Sequence, residues 1–179
     1  MEMLDTRELW MFAIGLLVVR IVLGLLMAAH GAQKLFGWFG GPGLAATGEY
    51  LVELGFPAGR AFATTAAVGE LVGGILLALG LFGPVGPAIM IGAMVVAMIS
   101  VHWRNGLFAA TGGVELPLLY ATGAFGIALA GFGPFALDSL LGIATAWTPS
   151  RTWLVLAIGL LGGIVNLLMR RRPVRPRPT

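Results

Sequence analysis

The stretch Arg20 to Phe36 reads RIVLGLLMAAHGAQKLF, with an arginine, a histidine, a glutamine and a lysine set into an apolar run that begins near Leu9. A charge at the centre of a bilayer costs roughly 2.5–3.5 kcal/mol on insertion scales, so an ionisable group there is a functional-site candidate by default. At about 100° per residue, Arg20, Gly24, Met27, Gly31 and Lys34 fall within about 40° of one line on a helix. That stripe presents two cations and two glycines. Glycines admit a close helical neighbour, so the stripe is expected to face other helices and not lipid. The expected partner is Glu70, which lies mid-helix in ATTAAVGELVGGILLALG. Counted from the ends of their own apolar runs, Glu70 lies roughly 13–14 Å and Arg20 roughly 16 Å into a ~30 Å core, from opposite sides. Equal depth predicts an Arg20–Glu70 pair. Such a dyad serves either as a proton relay or ligand contact, or as a structural ion pair that fixes helix register.

A second polar group gathers at helix ends. His30, Gln33 and Lys34 sit at i, i+3 and i+4, and so share a face. His102 and Arg104 close a later apolar run, and Glu115 opens the next. Together they place two imidazoles, two cations, an amide and a carboxylate in one layer. The mixture suits a quinone headgroup: cations or imidazoles donate to its oxygens, and a carboxylate or histidine moves protons. On this reading Glu70 and Glu115 are the proton-handling candidates, and Arg20, His30, Gln33, Lys34, His102 and Arg104 contact the ligand. A small oxyanion held by Lys34 and Arg104 fits as well. Three competing readings stand beside these. Lys34 and Arg104 can simply snorkel to water. Paired imidazoles can ligate haem iron, but there is no CxxCH motif and only two histidines, which disfavours haem and any covalent cofactor. The layer can also line a transport path. Asp138, after a Gly-Pro turn, reads as a helix cap.

The elements that must hold these residues follow from composition. The chain is 58% hydrophobic and 11% charged over 179 residues, with a mean hydropathy of +0.94. A soluble domain carries about 25% charge, and one of this size could not bury so much apolar surface. An all-α integral membrane protein is expected. Cysteine is absent, which excludes disulfides, thiolate nucleophiles and Fe–S ligation. No nucleic-acid motif is present, no metal-ligating cluster stands out, and the N-terminus lacks the cationic start of a removable signal peptide.

Five runs are long enough to span: about Leu9–His30, Ala61–Phe82, Val85–His102, Leu116–Phe132 and Trp153–Met169. Gly- and Pro-rich joins at 40–43, 83–87, 131–134 and 148–150 separate them. Short amphipathic helices are expected near 44–54 and 135–146, lying at the interface or capping the bundle. All five tryptophans fall at predicted helix ends, the level an amphipathic indole prefers. Lys34, Arg60, Arg104 and the arginine-rich tail then share one side, against Arg7 and Arg151 on the other. The positive-inside rule therefore predicts an outside N-terminus and a cytoplasmic C-terminus, with the basic Pro/Arg tail at 171–179 drawn to anionic headgroups.

RIVLGLLMAAHGAQKLFG, GELVGGILLALGLF, the run end at His102, Glu115 and GFGPFALDSLL resemble, in order and spacing, the DoxX family of small bacterial membrane proteins. The resemblance covers about Leu16 to Leu141. It implies a four-helix transmembrane bundle over 1–147, to which the segment 150–170 would add a fifth transmembrane helix. It also implies a multi-pass protein of the inner (plasma) membrane. Some members are subunits of a thiosulfate:quinone oxidoreductase and others belong to sulfur or oxidative-stress complexes, so the resemblance implies other redox subunits as partners. It singles out Arg20, Lys34, Glu70 and Glu115. The functional expectation is a redox-associated subunit binding a quinone or similar small ligand; no independent catalytic motif is present. The alternatives are a non-catalytic scaffold or assembly subunit, a homo-oligomer included, and a small transporter.

Overall fold

The computed structural model describes residues 5–171. Seven α-helices account for about two thirds of them: α1 Thr6–Phe36, α2 Gly43–Glu53, α3 Gly59–Leu79, α4 Val85–Ala97, α5 Glu115–Ala130, α6 Leu137–Leu140 and α7 Pro149–Leu168. Beyond Ala97 the fourth helix continues through a wider π turn, Met98–His102, and a 3-10 turn, Trp103–Asn105. With that continuation, four helices are long and apolar enough to cross a membrane, and α5 is a shorter apolar helix. The fold is an all-α membrane bundle.

Local chemistry sets the boundaries. Asp5 caps α1 by accepting from the Arg7 and Glu8 backbone, and Glu8 returns the bond to Asp5, a capping box. Gly37 ends α1 in the left-handed conformation, as Gly80 ends α3, the conformation that glycine adopts without penalty. Thr148 caps α7, which opens on Pro149, where a missing N–H costs nothing.

The helices assemble through small residues. Gly24 lies against Gly74 and Ala78, and Gly31 against Ala67 and Leu71, so α1 and α3 are antiparallel with backbones in near contact. Gly92 of α4 meets Gly159 and Gly163, and Ala88 meets Gly159, so α4 and α7 run parallel and equally close. With no hydrophobic force between helices in lipid, this backbone approach is what drives association. The remaining core is Met27, Leu77, Met90, Met94, Tyr120, Ala124 and Ile127. Large apolar side chains such as Leu25, Ile75, Leu119 and Leu161 point outward, as they must where the solvent is hydrocarbon.

One expectation needs correction. The segment 135–146 is not one amphipathic helix but the four residues of α6 followed by a 3-10 turn at Ala144–Ala146. α1 runs past His30 to Phe36 with Lys34 in its last turn, and α7 is an apolar helix of spanning length that packs on α4 through its glycines. The amphipathic helix near 44–54 is present as α2, with Glu49 and Glu53 exposed. The tail beyond residue 171 lies outside the described residues.

Candidate ligand-binding site

The register of α1 on α3 decides which charges meet. Gly31 lies opposite Leu71, so Lys34 lies beside Glu70, and its ammonium bonds Glu70 Oε1. Arg20 lies beside Gly80 instead, about 15 Å further along α3. The expected Arg20–Glu70 dyad does not form. Depths counted from the ends of apolar runs assumed that both helices start at the same membrane levels; the actual extent of α1 displaces Arg20 toward the far end of α3.

Glu70 is 2% exposed and its second oxygen, Oε2, has no hydrogen-bond partner. The Lys34 side chain keeps 31% of its exposure, so the pair can be reached. It opens onto a cavity of about 620 Å³ walled by α2, α3, α4 and α7. The lining is overwhelmingly apolar. Thr47, Thr65, Ser100 and Asn166 are its uncharged polar side chains apart from the Tyr50 phenol, and Lys34 and Glu70 its ionisable pair. The π turn carries Ser100 on its wall, a geometry often found where a helix serves a site. Ser100 Oγ donates to the Val96 carbonyl at 2.5 Å. Tyr120 of α5 is buried in the apolar core with Met27 and Met90. The exposed His30 ring meets the Tyr120 ring edge-on, with centroids 5.7 Å apart.

The other expected ligand contacts are engaged elsewhere. Gln33 donates to the Phe39 carbonyl at 3.4 Å and steadies the turn after α1. His102 Nδ1 bonds the Gly112 carbonyl at 2.6 Å, and Glu115 accepts from the Ala109 N–H at 2.7 Å. Both hold the loop between α4 and α5 in place. Arg104 is exposed. These residues do share one end of the bundle, but as loop braces and surface groups, and none of them lines the cavity.

Arg20 is also 2% exposed. It donates to the Phe135 carbonyl at 2.6 Å, and its Nε and Nη1 have no partner. It lies at the C-terminus of α3, where partial negative charge favours a cation. On the other side of Gly80, whose carbonyl accepts from its N–H at 3.0 Å, stands buried Asp138. Asp138 does not cap its own helix. Its carboxylate accepts from Phe82 N at 2.8 Å, Gly83 N at 2.6 Å and Trp147 Nε1 at 2.9 Å, locking the α3–α4 turn to the segment before α7.

Tyr120, Ser100, Asn166 and the groove glycines were not singled out as site residues by sequence. Gly69 and Gly73 both pack on Ile89 of α4, and Gly69 also lines the cavity.

No curated protein and no solved structure matches the chain. The family model of DoxX matches residues 15–103, which run from within α1 to the end of α4's continuation and include Arg20, His30, Lys34, Glu70 and His102. The chain is therefore a multi-pass membrane protein of the DoxX family.

Proposed function

We propose that the protein binds a quinone or a similar lipid-soluble ligand in the groove beside Lys34 and Glu70, as a redox-associated subunit of the inner membrane. One observation carries this reading: a fully buried carboxylate with a free oxygen, paired to a reachable lysine, opens on an apolar cavity. A structural ion pair gains from complete hydrogen bonding on both partners; here Glu70 Oε2 is buried on the cavity wall without a partner. A hydroxyl of a reduced quinone can donate to that oxygen, and Lys34 can donate to a carbonyl oxygen of the oxidised form. Glu70 then takes the quinol proton as general base. The chain has no cysteine and so no thiol of its own to accept electrons; on this reading an associated redox subunit takes the two electrons as the quinol gives up its protons. On this reading Glu115, Arg104 and His102 shape the rim rather than touch the ligand, and Arg20 belongs to the opposite end.

Titration of the purified protein with a decyl-benzoquinone and its quinol, followed calorimetrically, tests the proposal. Loss of one charge-assisted hydrogen bond costs about 1.5–3 kcal/mol, so Lys34→Ala or Glu70→Gln should weaken binding roughly 10- to 100-fold. Wild-type protein that binds neither form, or binding indifferent to both substitutions, removes it.

A further inference from the structure

The groove is built asymmetrically about Glu70. Gly69 and Gly73 of α3 face Ile89 of α4, and Gly159 and Gly163 of α7 face Ala88 and Gly92. These contacts put Glu70, Gly92 and Gly162 at one level. On one side of that level the wall is wholly apolar: Val85, Ala88, Ile89, Val155 and Ile158. On the other side lie all the uncharged polar groups, Thr47, Tyr50, Thr65, Ser100 and Asn166. Seven residues separate Gly92 from Val85, which makes the apolar arm about 10 Å long.

Gly162 lines the groove, and a Cβ built there would meet nothing within 4 Å. The other glycines of α7 are needed for contact with α4: at Gly159 and Gly163 a side chain would strike α4 backbone. Gly162 has no such packing duty. It is exposed on the groove, and it lies on a helix beyond the matched residues 15–103.

Resting on the binding reading above, we infer that Gly162 is the selectivity position of the groove. It admits one flat, uncharged head group opposite Glu70, on a single chain that runs along the Val85–Ile158 arm. The Lys34–Glu70 pair is neutral as a unit, so a phosphate head would meet a carboxylate with no cation to spare. A hydroxyl or carbonyl head meets a donor and a free acceptor. Polar groups on the opposite arm give that head a path to water, and the apolar arm gives the chain a dry wall. The occupant is therefore a quinone- or quinol-like single-chain lipid and not a phospholipid.

The experiment uses the full chain in phosphatidylcholine nanodiscs, with decyl-benzoquinone as probe. Gly162→Leu fills open space and should weaken binding about tenfold or more, with Gly162→Ala intermediate. Gly126→Leu is the control: Gly126 also has nothing within 4 Å, but it lies outside the groove, and its Kd should match wild type. A probe with a photoreactive diazirine at the chain end should label Val85, Ile89 or Val155, whereas one on the ring should label the Thr65–Ser100 side. Binding by Gly162→Leu as tight as wild type, or a chain-end label on the Thr65–Ser100 side, overturns the inference while leaving the head-group reading intact if Lys34→Ala still weakens binding. Phosphatidylcholine that excludes the quinone from the groove overturns the assignment of an uncharged head. No binding by wild type overturns the reading on which the inference rests.

Discussion

Removing Lys34 alone and removing it together with Glu70 should have opposite consequences. In Lys34→Met the Glu70 carboxylate keeps its 2% exposure and loses the bond to Oε1, so neither oxygen retains a partner. Breaking one side of a buried pair costs about 3–5 kcal/mol. Lys34 is part-exposed, which places this case near the lower end, at about 3 kcal/mol. Replacing both partners by apolar residues of similar size is often neutral or stabilising, so Lys34→Met/Glu70→Leu should fall within about 1 kcal/mol of wild type. Reversible unfolding in mixed SDS micelles, followed by tryptophan fluorescence, reads both values and gives the coupling from the full cycle. The same double variant should fold and bind no quinone, which separates the structural contribution of the pair from its function. A single variant as stable as wild type would show that Glu70 is not dependent on Lys34. A double variant as unstable as the single would show that the cost lies in packing and not in the orphaned charge.

Other perturbations test the far end and the orientation. Asp138→Ala strips the acceptor from three donors and should cost about 2–4 kcal/mol, with a red shift in the Trp147 emission; unchanged emission would refute the lock on the α3–α4 turn. Arg20→Met forfeits one bond to the Phe135 carbonyl while relieving two unpartnered nitrogens, so its cost should stay below about 1.5 kcal/mol. A loss well above that would mean that Arg20 holds a partner of its own. Since the chain has no cysteine, single-cysteine labelling is clean. With the N-terminus outside, Glu49→Cys should resist an impermeant maleimide applied to intact cells and Ser150→Cys should react; the reverse pattern refutes the orientation.

Much of the architecture was legible because apolar length and Gly-Pro punctuation are local properties. GPVGP at 83–87 could only be a tight turn between antiparallel helices, and α3 and α4 show it. Lys34 and Glu70 were also legible as costly residues in oil. Their partnership was not, since pairing depends on the offset between two helices and a sequence prints each helix separately. Arg20 was matched to Glu70 by depth alone, and an offset of ten residues on α3 undid the match. The cavity was illegible for a related reason. It is a space bounded by α2, α3, α4 and α7 into which Gly162 sends no side chain, and a sequence records which side chains are missing without recording what faces the gap.

These cases point to an order of causes within the bundle: backbone contact at glycines sets the register, and the charges then pair with whatever that register brings near. A Cβ at Gly31 would strike the backbone of Ala67 and Leu71, which cannot retreat as a long side chain can. Gly31→Val should therefore push α1 off α3, while Lys34→Met/Glu70→Leu should leave the helices where they are. Spin labels at Leu25→Cys and Ile75→Cys, both on exposed positions of the two helices, report the offset directly by dipolar distance. The charge-free variant should reproduce the wild-type distance distribution, and Gly31→Val should broaden it or move it by several ångströms, up to about 5 Å for a slip of one turn. If removing the charges shifts the distance and the valine does not, electrostatics sets the register, and the absence of an Arg20–Glu70 pair would need another cause than helix packing.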